Sequence, residues 1–243
     1  MVRINTWSGP RNISTALMYS FAQRSDTRVV DEPFYAHYLL QSGAEHPGRA
    51  EVLESQPRDA SVVIENLLRI STGKSVLYLK NMAHHMVAMG ETLKTLLDEF
   101  QHVFLIRDPA EMLPSLAKRL PNPTLRDTAY RRQFELFEMV KASNGPLNVI
   151  DSAELLKDPE TVLQTLCSRL QIPFYPEMLS WEAGPIPEDG IWAKHWYHNV
   201  HQSTGFKPYR PRKRALPEHL IPLYEACKSF YQQMFVHAIK VNA

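Results

Sequence analysis

Four groups of residues have types and spacings suited to chemistry on an anion. The first is Ser8, Gly9, Pro10, Arg11, Asn12, Ile13, Ser14 and Thr15, which follows the alternating apolar run Val2, Ile4, Trp7 and precedes Leu17, Met18 and Phe21. A strand, a tight loop and a helix start in that order form an anion site, because the first-turn amides lack helix partners and the helix dipole is positive there. Gly9 permits unusual backbone angles, Arg11 adds a planar cationic fork, and Ser14 and Thr15 add hydroxyl donors. A phosphate or sulfate group is the expected ligand. By spacing alone, an ordinary capped first helix fits equally well, since Ser and Thr are common near helix starts. The loop is not a Walker A box: from Gly9 onward it lacks both the second Gly and the Lys.

The other three groups follow apolar runs that read as strands. Asp31 and Glu32 close Thr27–Val30, Lys80 with His84 and His85 follows Ser75–Leu79, and Arg107 follows His102–Ile106. Each alone has a mundane reading, as a surface ion pair or a solvated carboxylate. Adjacent histidines point in different directions, so at most one reaches a given site. The set tells more than its members, because parallel strands bring their carboxyl ends to one edge, where open α/β sheets bind ligands. Gly73-Lys74-Ser75 imitates the end of a P-loop but precedes a strand, and is treated as a decoy.

Positioning these groups requires strands that alternate with helices. Helical periodicity predicts helices from Ile13, over Asp59–Ile70 (Val62, Val63, Leu67 and Leu68 on one face), Gly90–Phe100, Ala110–Arg119, Asp127–Ser143, Pro159–Leu170 and Pro217–Val241. A further strand is expected at Leu147–Ile150, and Phe34–Pro57, mixing a short helical stretch with Gly43, Pro47 and Gly48, reads as a mobile surface insertion. The alternation predicts an α/β fold: a three-layer sandwich with a mainly parallel central sheet, P-loop nucleotide-binding-like, with a helical, loop-rich C-terminal part. One domain over residues 1–243 is expected. A formal net charge of +1 supplies no general attraction for nucleic acid or membrane. No apolar run approaches the ~18 residues of a membrane span. Cys167 and Cys227 have neither metal nor redox spacing, and a cytoplasmic location is expected.

The sequence resembles the sulfotransferases that use 3′-phosphoadenosine 5′-phosphosulfate (PAPS), a P-loop-like α/β family. SGPRNISTAL is similar to the family's 5′-phosphosulfate loop, with Arg11 at the basic position and Ser14 and Thr15 at the hydroxyl pair. VFLIRDPAEMLPSLAKR resembles the 3′-phosphate motif, in which an Arg at a strand end and a Ser eight positions later hold that phosphate, here Arg107 and Ser115. IDSAELLKDPETVLQTLCSRLQIPF resembles a third family segment. Asn12 and Ile13 depart from the pattern, standing where many members have Ser and Gly.

The resemblance implies a transferase that moves a sulfuryl group from PAPS to a hydroxyl or amine of a small acceptor by in-line transfer, leaving 3′-phosphoadenosine 5′-phosphate (PAP). Ser8 to Thr15, Arg107 and Ser115 would bind the nucleotide. Thr204 and Phe206 would meet the adenine, and the basic run from Lys207 through Arg210, Arg212, Lys213 and Arg214 would close on the 3′-phosphate. Arg11 and Lys80 would neutralise developing charge, and the base would be Glu32, His84 or His85. A sulfonate carries a single negative charge, so no metal is demanded. Trp181, Trp192, Trp196 and Tyr197 suit either an acceptor pocket or core packing, and His195, His198 and His201 lack the regular context of a metal site. Nucleic-acid and membrane partners are not expected, and a homodimer is compatible with the sequence. Two alternatives stay open: a nucleotide-dependent kinase or other phosphotransferase of similar fold, and a non-catalytic nucleotide-binding protein.

Overall fold

The computed structural model describes residues 1–71, 73–211 and 215–241. In chain order its elements are β1 (Val2–Ser8), α1 (Ser14–Ala22), β2 (Thr27–Asp31), α2 (Tyr35–Ser42), α3 (Arg49–Ser55), α4 (Ala60–Leu68), β3 (Val76–Met82), α5 (Glu91–Glu99), β4 (Gln101–Ile106) and α6 (Pro109–Ala117). They continue as α7 (Leu125–Thr128), α8 (Tyr130–Ala142), β5 (Asn148–Asp151), α9 (Ser152–Lys157), α10 (Pro159–Arg169), α11 (Ala193–Trp196), α12 (His198–His201) and α13 (Ile221–Phe235). The strands form one sheet in the order β2-β3-β1-β4-β5, and every pairing is parallel. All five carboxyl ends therefore open on one edge.

The period of two along each strand divides the core into two layers. Val76 and Tyr78, Val103 and Leu105, and Ile150 face α1, α2 and α10 together with Trp181, Trp192 and Tyr197 of the C-terminal part. Leu77 and Leu79, Phe104 and Ile106, and Val149 face α4, α5, α6, α8 and α13. This is the expected three-layer α/β arrangement. Among the described residues four helices start on an N-cap aspartate: Asp59 accepts from Ser61 N, Asp108 from Ala110 N, Asp151 from Ala153 N and Glu154 N, and Asp158 from Thr161 N.

Four local expectations are corrected. The start of Phe34–Pro57 is not a surface insertion, because Phe34, Tyr35, Ala36, His37, Tyr38 and Leu39 are buried; beyond them the segment is mostly exposed, with Val52 of α3 buried. On α4 the buried face is Ala60, Val63, Ile64 and Leu67, with Val62 exposed. The single helix expected from Asp127 breaks into α7 and α8 at Ala129, whose φ of 66° turns the chain so that the Thr128 carbonyl lies against Gly9. The last helix ends at Phe235 because the following residues leave it for the sheet, where Ile239 N donates to Val149 O at 2.9 Å. Among the described residues no helix is long and apolar enough to cross a membrane.

Candidate active site

The loop between β1 and α1 is held from below by neighbouring strands and helices. Gln133 Nε2 donates to Trp7 O at 3.0 Å and to Leu105 O at 2.9 Å. The Asn12 side-chain amide donates to Leu105 O at 3.3 Å, and the Ser152 hydroxyl sits between Asn12 O (3.1 Å) and Ile106 O (2.8 Å). Gly9 is needed for contact: a Cβ there would stand 2.8 Å from Thr128 O. Arg11 and Ile13 both have φ near 60° (61° and 60°). Ile13 is the cap residue of α1, and its side chain offers no oxygen to the first turn, which also lacks an acidic residue. A left-handed residue followed directly by a helix start turns successive amides toward one point, a nest suited to an anion.

The second motif meets the first. Arg107 Nη1 donates to Arg11 O at 2.8 Å, and Arg11 Nε donates to Ser115 Oγ at 3.1 Å. Arg107 Nη2 pairs with Glu111 at 3.3 Å, and its Nε is buried with no partner. Tyr209 OH donates to Glu111 Oε1 at 2.7 Å, which fixes that carboxylate in turn.

At the ends of β2 and β3 lies a buried charge cluster. Lys80 Nζ donates to Asp31 Oδ1 at 2.8 Å, to Glu32 Oε1 at 2.5 Å and to Tyr197 OH at 2.6 Å. The Lys80 and Asp31 side chains are each 1% exposed and Glu32 is 10% exposed, so Glu32 is the cluster's contact with solvent. Its second oxygen, Oε2, lies 3.8 Å from His85 Nδ1. The His85 ring is sandwiched between Tyr35 and Tyr38, with centroids 4.7 and 4.6 Å away, and its Nδ1 is buried without a partner. Glu32 has a φ of 37° immediately before Pro33. Hydrogen bonds from Glu32 N to Lys80 O (2.8 Å) and to Glu32 O from Tyr35 N (3.0 Å) and Gln56 Nε2 (3.1 Å) hold that turn.

Comparison with known proteins places the chain in a family. The family model described as "Sulfotransferase domain" matches residues 2–238. The chain belongs to the sulfotransferase-domain family. Two Arabidopsis thaliana relatives, branched-chain-amino-acid aminotransferase-like proteins 1 and 2, are 40% identical over 93% of the chain and 37% identical over 96% of it. The chain spans only 41% of the length of each. The sulfotransferase domain of the Synechococcus PCC 7002 olefin synthase has the same fold, with a TM-score of 0.59 at 18% identity over 93% of this chain and 94% of that one. So does a sulfotransferase from Alicyclobacillus acidocaldarius, with a TM-score of 0.56 at 10% identity over 98% and 97%.

Within this sulfotransferase domain the predicted residues separate into two places. Ser8 to Thr15, Arg107 and Ser115 come together around the α1 start, while Glu32, Lys80 and His85 come together with Asp31 at the carboxyl ends of β2 and β3. Ser8 pairs with Met82 across β1 and β3, and Asp31 pairs with Lys80 across β2 and β3. Lys80 on β3 thus stands beside β1, in register with Thr6, and Asp31 at the end of β2 lies one strand further out. Lys80 is not a free cation for a sulfonate, since its three donors are taken. His84 is half-buried and carries an unpartnered Nδ1. Thr204 and Phe206 sit on the tail: Trp181 N donates to Thr204 O at 3.1 Å and the Phe206 ring meets Trp181 edge-on at 5.2 Å. Lys207 is exposed, and Arg212, Lys213 and Arg214 lie outside the described residues. His201 pairs with Asp189 at 2.9 Å.

Burial and the mutual pull of the charges set the protonation of the cluster. Glu32 is pushed above the usual carboxylate range by burial, against the pull of Lys80. For Lys80, burial acts to lower the pKa, but the Asp31 and Glu32 carboxylates outweigh it and the net direction is up. Burial pushes His84 down to about 3. Burial, with help from His84, pushes His85 well below the ordinary imidazole value. Both histidines are therefore neutral near pH 7. Sequence reading missed the supports Gln133 and Ser152 and the part played by Tyr197. Ser152 had a signal, standing one residue beyond a strand end, whereas Gln133 and Tyr197 are brought in by helices and a tail whose docking no local pattern reveals.

Proposed function

We propose that this domain transfers a sulfuryl group from PAPS to a small acceptor, with Glu32 as general base. The observation that carries the reading is Glu32 itself. One oxygen is anchored on a buried ammonium, the other carries no hydrogen bond, and the strained backbone (φ 37°) is held in place by its neighbours. Strain of this kind costs about 1–3 kcal/mol and persists where surrounding contacts over-determine it. A base with a raised pKa is better matched to proton abstraction near neutral pH than an ordinary carboxylate. His85 suits the base role less well, since burial keeps it from accepting a proton. A hydroxyl lying between Glu32 Oε2 and His85 Nδ1 could donate to the first and accept from the second.

The residues present fit the donor. The unpartnered Arg107 Nε, the Gly9 cradle that a Cβ would fill, and the uncapped first turn of α1 all suit an anionic nucleotide. The α1 start and Arg11 would hold the 5′-side, with Arg107 and Ser115 at the 3′-phosphate. When bound, PAPS supplies an activated sulfuryl group on a phosphate leaving group. Glu32 would take the proton of the acceptor hydroxyl or amine, and the loop amides would stabilise negative charge on the 5′-side of the bound nucleotide. Catalysis is then mainly positioning and charge stabilisation. The small acceptor is an alcohol, phenol or amine.

Calorimetry with PAP, 5′-AMP, ATP and GTP, with and without Mg²⁺, tests the nucleotide half. Tight metal-independent binding of PAP is expected, and Arg107→Ala should weaken PAP far more than 5′-AMP. Preference for Mg-ATP overturns the reading in favour of a phosphotransferase. For the base, conversion of PAPS to PAP over a panel of small alcohols, phenols and amines should fall about 10²-fold or more in Glu32→Gln, with PAP affinity unchanged. Undiminished turnover in that variant removes Glu32 from the role.

A further inference from the structure

The hydrogen-bond inventory around Lys80 is uneven. Lys80 spends all three donors, one each on Asp31 Oδ1, Glu32 Oε1 and Tyr197 OH. Tyr197 has one proton to give, and its hydroxyl lies 2.7 Å from Asp31 Oδ2 against 3.5 Å from Glu32 Oε1, so the proton goes to Asp31. Trp192 Nε1 donates to the same hydroxyl at 3.1 Å, and Gly190 N adds a further donor to Asp31 Oδ2 at 3.2 Å. Asp31 thus receives Lys80, Tyr197 and Gly190. Glu32 receives Lys80 on one oxygen and keeps the other open.

Two carboxylates compete for one ammonium in a site where a buried charge left unpaired is costly. A carboxylate satisfied by other donors leaves more of the ammonium to its rival. The Trp192 and Tyr197 side chains are buried, 3% and 4% exposed, and the Lys80 ammonium also lies 4.9 Å from the Tyr197 ring centroid, so the hydroxyl has no freedom to turn elsewhere. We propose that Tyr197, held by Trp192, is a positioning residue that satisfies Asp31 and so keeps the Lys80 ammonium on Glu32, leaving Glu32 Oε2 free to meet the acceptor. The C-terminal part of the chain thereby controls a base carried just past the end of the second strand. This inference rests on the reading of Glu32 as base, but its test does not.

The test follows the Glu32 carboxyl carbon by NMR in protein labelled with ¹³C at the glutamate side-chain carboxyl, its signal identified by its loss in Glu32→Gln. Tyr197→Phe removes the hydroxyl and keeps the ring. Asp31 Oδ2 then loses a donor while the Lys80 donor that faced the hydroxyl is freed; the ammonium shifts toward Asp31 to meet it and away from Glu32, and the Glu32 midpoint should rise by about half a pH unit or more, since a weakened bond to a cation favours the protonated carboxyl. Trp192→Phe, which removes only the donor that holds the hydroxyl, should give a smaller rise in the same direction. PAP affinity is the control for an intact fold in both variants, and Trp192→Phe is decisive if Tyr197→Phe does not fold. In the turnover assay, the acid limb of the pH profile should move up with the NMR midpoint while the acceptor KM stays within about twofold. A Glu32 midpoint that does not move, or moves down, overturns the positioning role whatever Glu32→Gln does to turnover. Undiminished turnover in Glu32→Gln, with the midpoint shifted as expected, overturns only the base assignment.

Discussion

Ile13 is a β-branched residue in the left-handed region, with φ 60° and ψ 20°, at the position where many members of the family have Gly. That conformation costs an L-residue roughly 1–2 kcal/mol, while Gly in place of Ala loses about 0.5–1 kcal/mol of chain entropy. Ile13 also packs against the core layer that holds α1, so removing its side chain costs packing whichever small residue replaces it. The comparison that isolates the backbone is Ile13→Gly against Ile13→Ala. Gly should be the more stable of the two by about 0.5–1 kcal/mol in denaturant unfolding, the reverse of the ordinary ranking. If Ala is the more stable, the left-handed cap does not exist. Gly9 makes the opposite case, because it is required for space. In Gly9→Ala the new methyl meets the Thr128 carbonyl, a backbone atom fixed between α7 and α8, and a loss of about 1–3 kcal/mol is expected. PAP affinity should fall with it, since the loop can make room only by moving its amides.

Among the elements, the 3₁₀ turn Ala83–His85 after β3 carries two imidazoles whose burial keeps them neutral. Unfolded, each would take up a proton near its ordinary value of 6.5, so below that pH the unfolded chain binds protons that the folded one refuses. Their contribution is fully present above 6.5 and is lost as the pH falls toward about 3 for His84, at up to about 1.4 kcal/mol per pH unit for each ring. Glu32 acts with the other sign. Its folded pKa is raised above 4.5, so its contribution is lost as the pH rises through the window above that value. Two rings outweigh one carboxyl between pH 6.5 and 5, and the melting temperature should drop on acidification across that range. His84→Asn should flatten the slope, and an unchanged slope would mean that His84 is protonated in the fold. The same elements show what a sequence can reveal. The ends of β2 and β4 were legible because apolar runs stop abruptly at Asp31 and Arg107, and the parallel order follows from helices between the strands; β3 instead runs past the expected end at Leu79 to Met82, with Lys80 and Asn81 buried inside it. The start of Phe34–Pro57 was not legible, because the segment's Gly and Pro residues read as loop signals while burial of Tyr35, Tyr38 and Leu39 is decided by what packs on them. Nor was the pairing of Lys80 with two carboxylates, which depends on which strand lies beside β3.

At the scale of the molecule, both core layers rest on the same five strands, and the tail returns to them at Val149 and through Tyr197 to Lys80. No layer can be removed without uncovering an apolar sheet face, so residues 1–241 should unfold in one cooperative transition. The proposed nucleotide site joins the α1 start, α6 and the ends of β1 and β4, elements from both sides of the sheet. A ligand that binds only when these are assembled stabilises the whole fold by mass action, about 2.7 kcal/mol at a hundredfold excess over Kd. For a chain of this length that corresponds to roughly 5–11 °C in the midpoint. PAP should therefore raise the temperature of the single transition by that amount without Mg²⁺, and Arg107→Ala should abolish most of the rise while leaving the ligand-free midpoint within about 2–4 °C, because its guanidinium holds only one loop carbonyl and one partly exposed carboxylate. Two separate transitions, with PAP moving just one of them, would instead mean that the C-terminal part folds on its own and that Tyr197 reaches Lys80 across a boundary between domains.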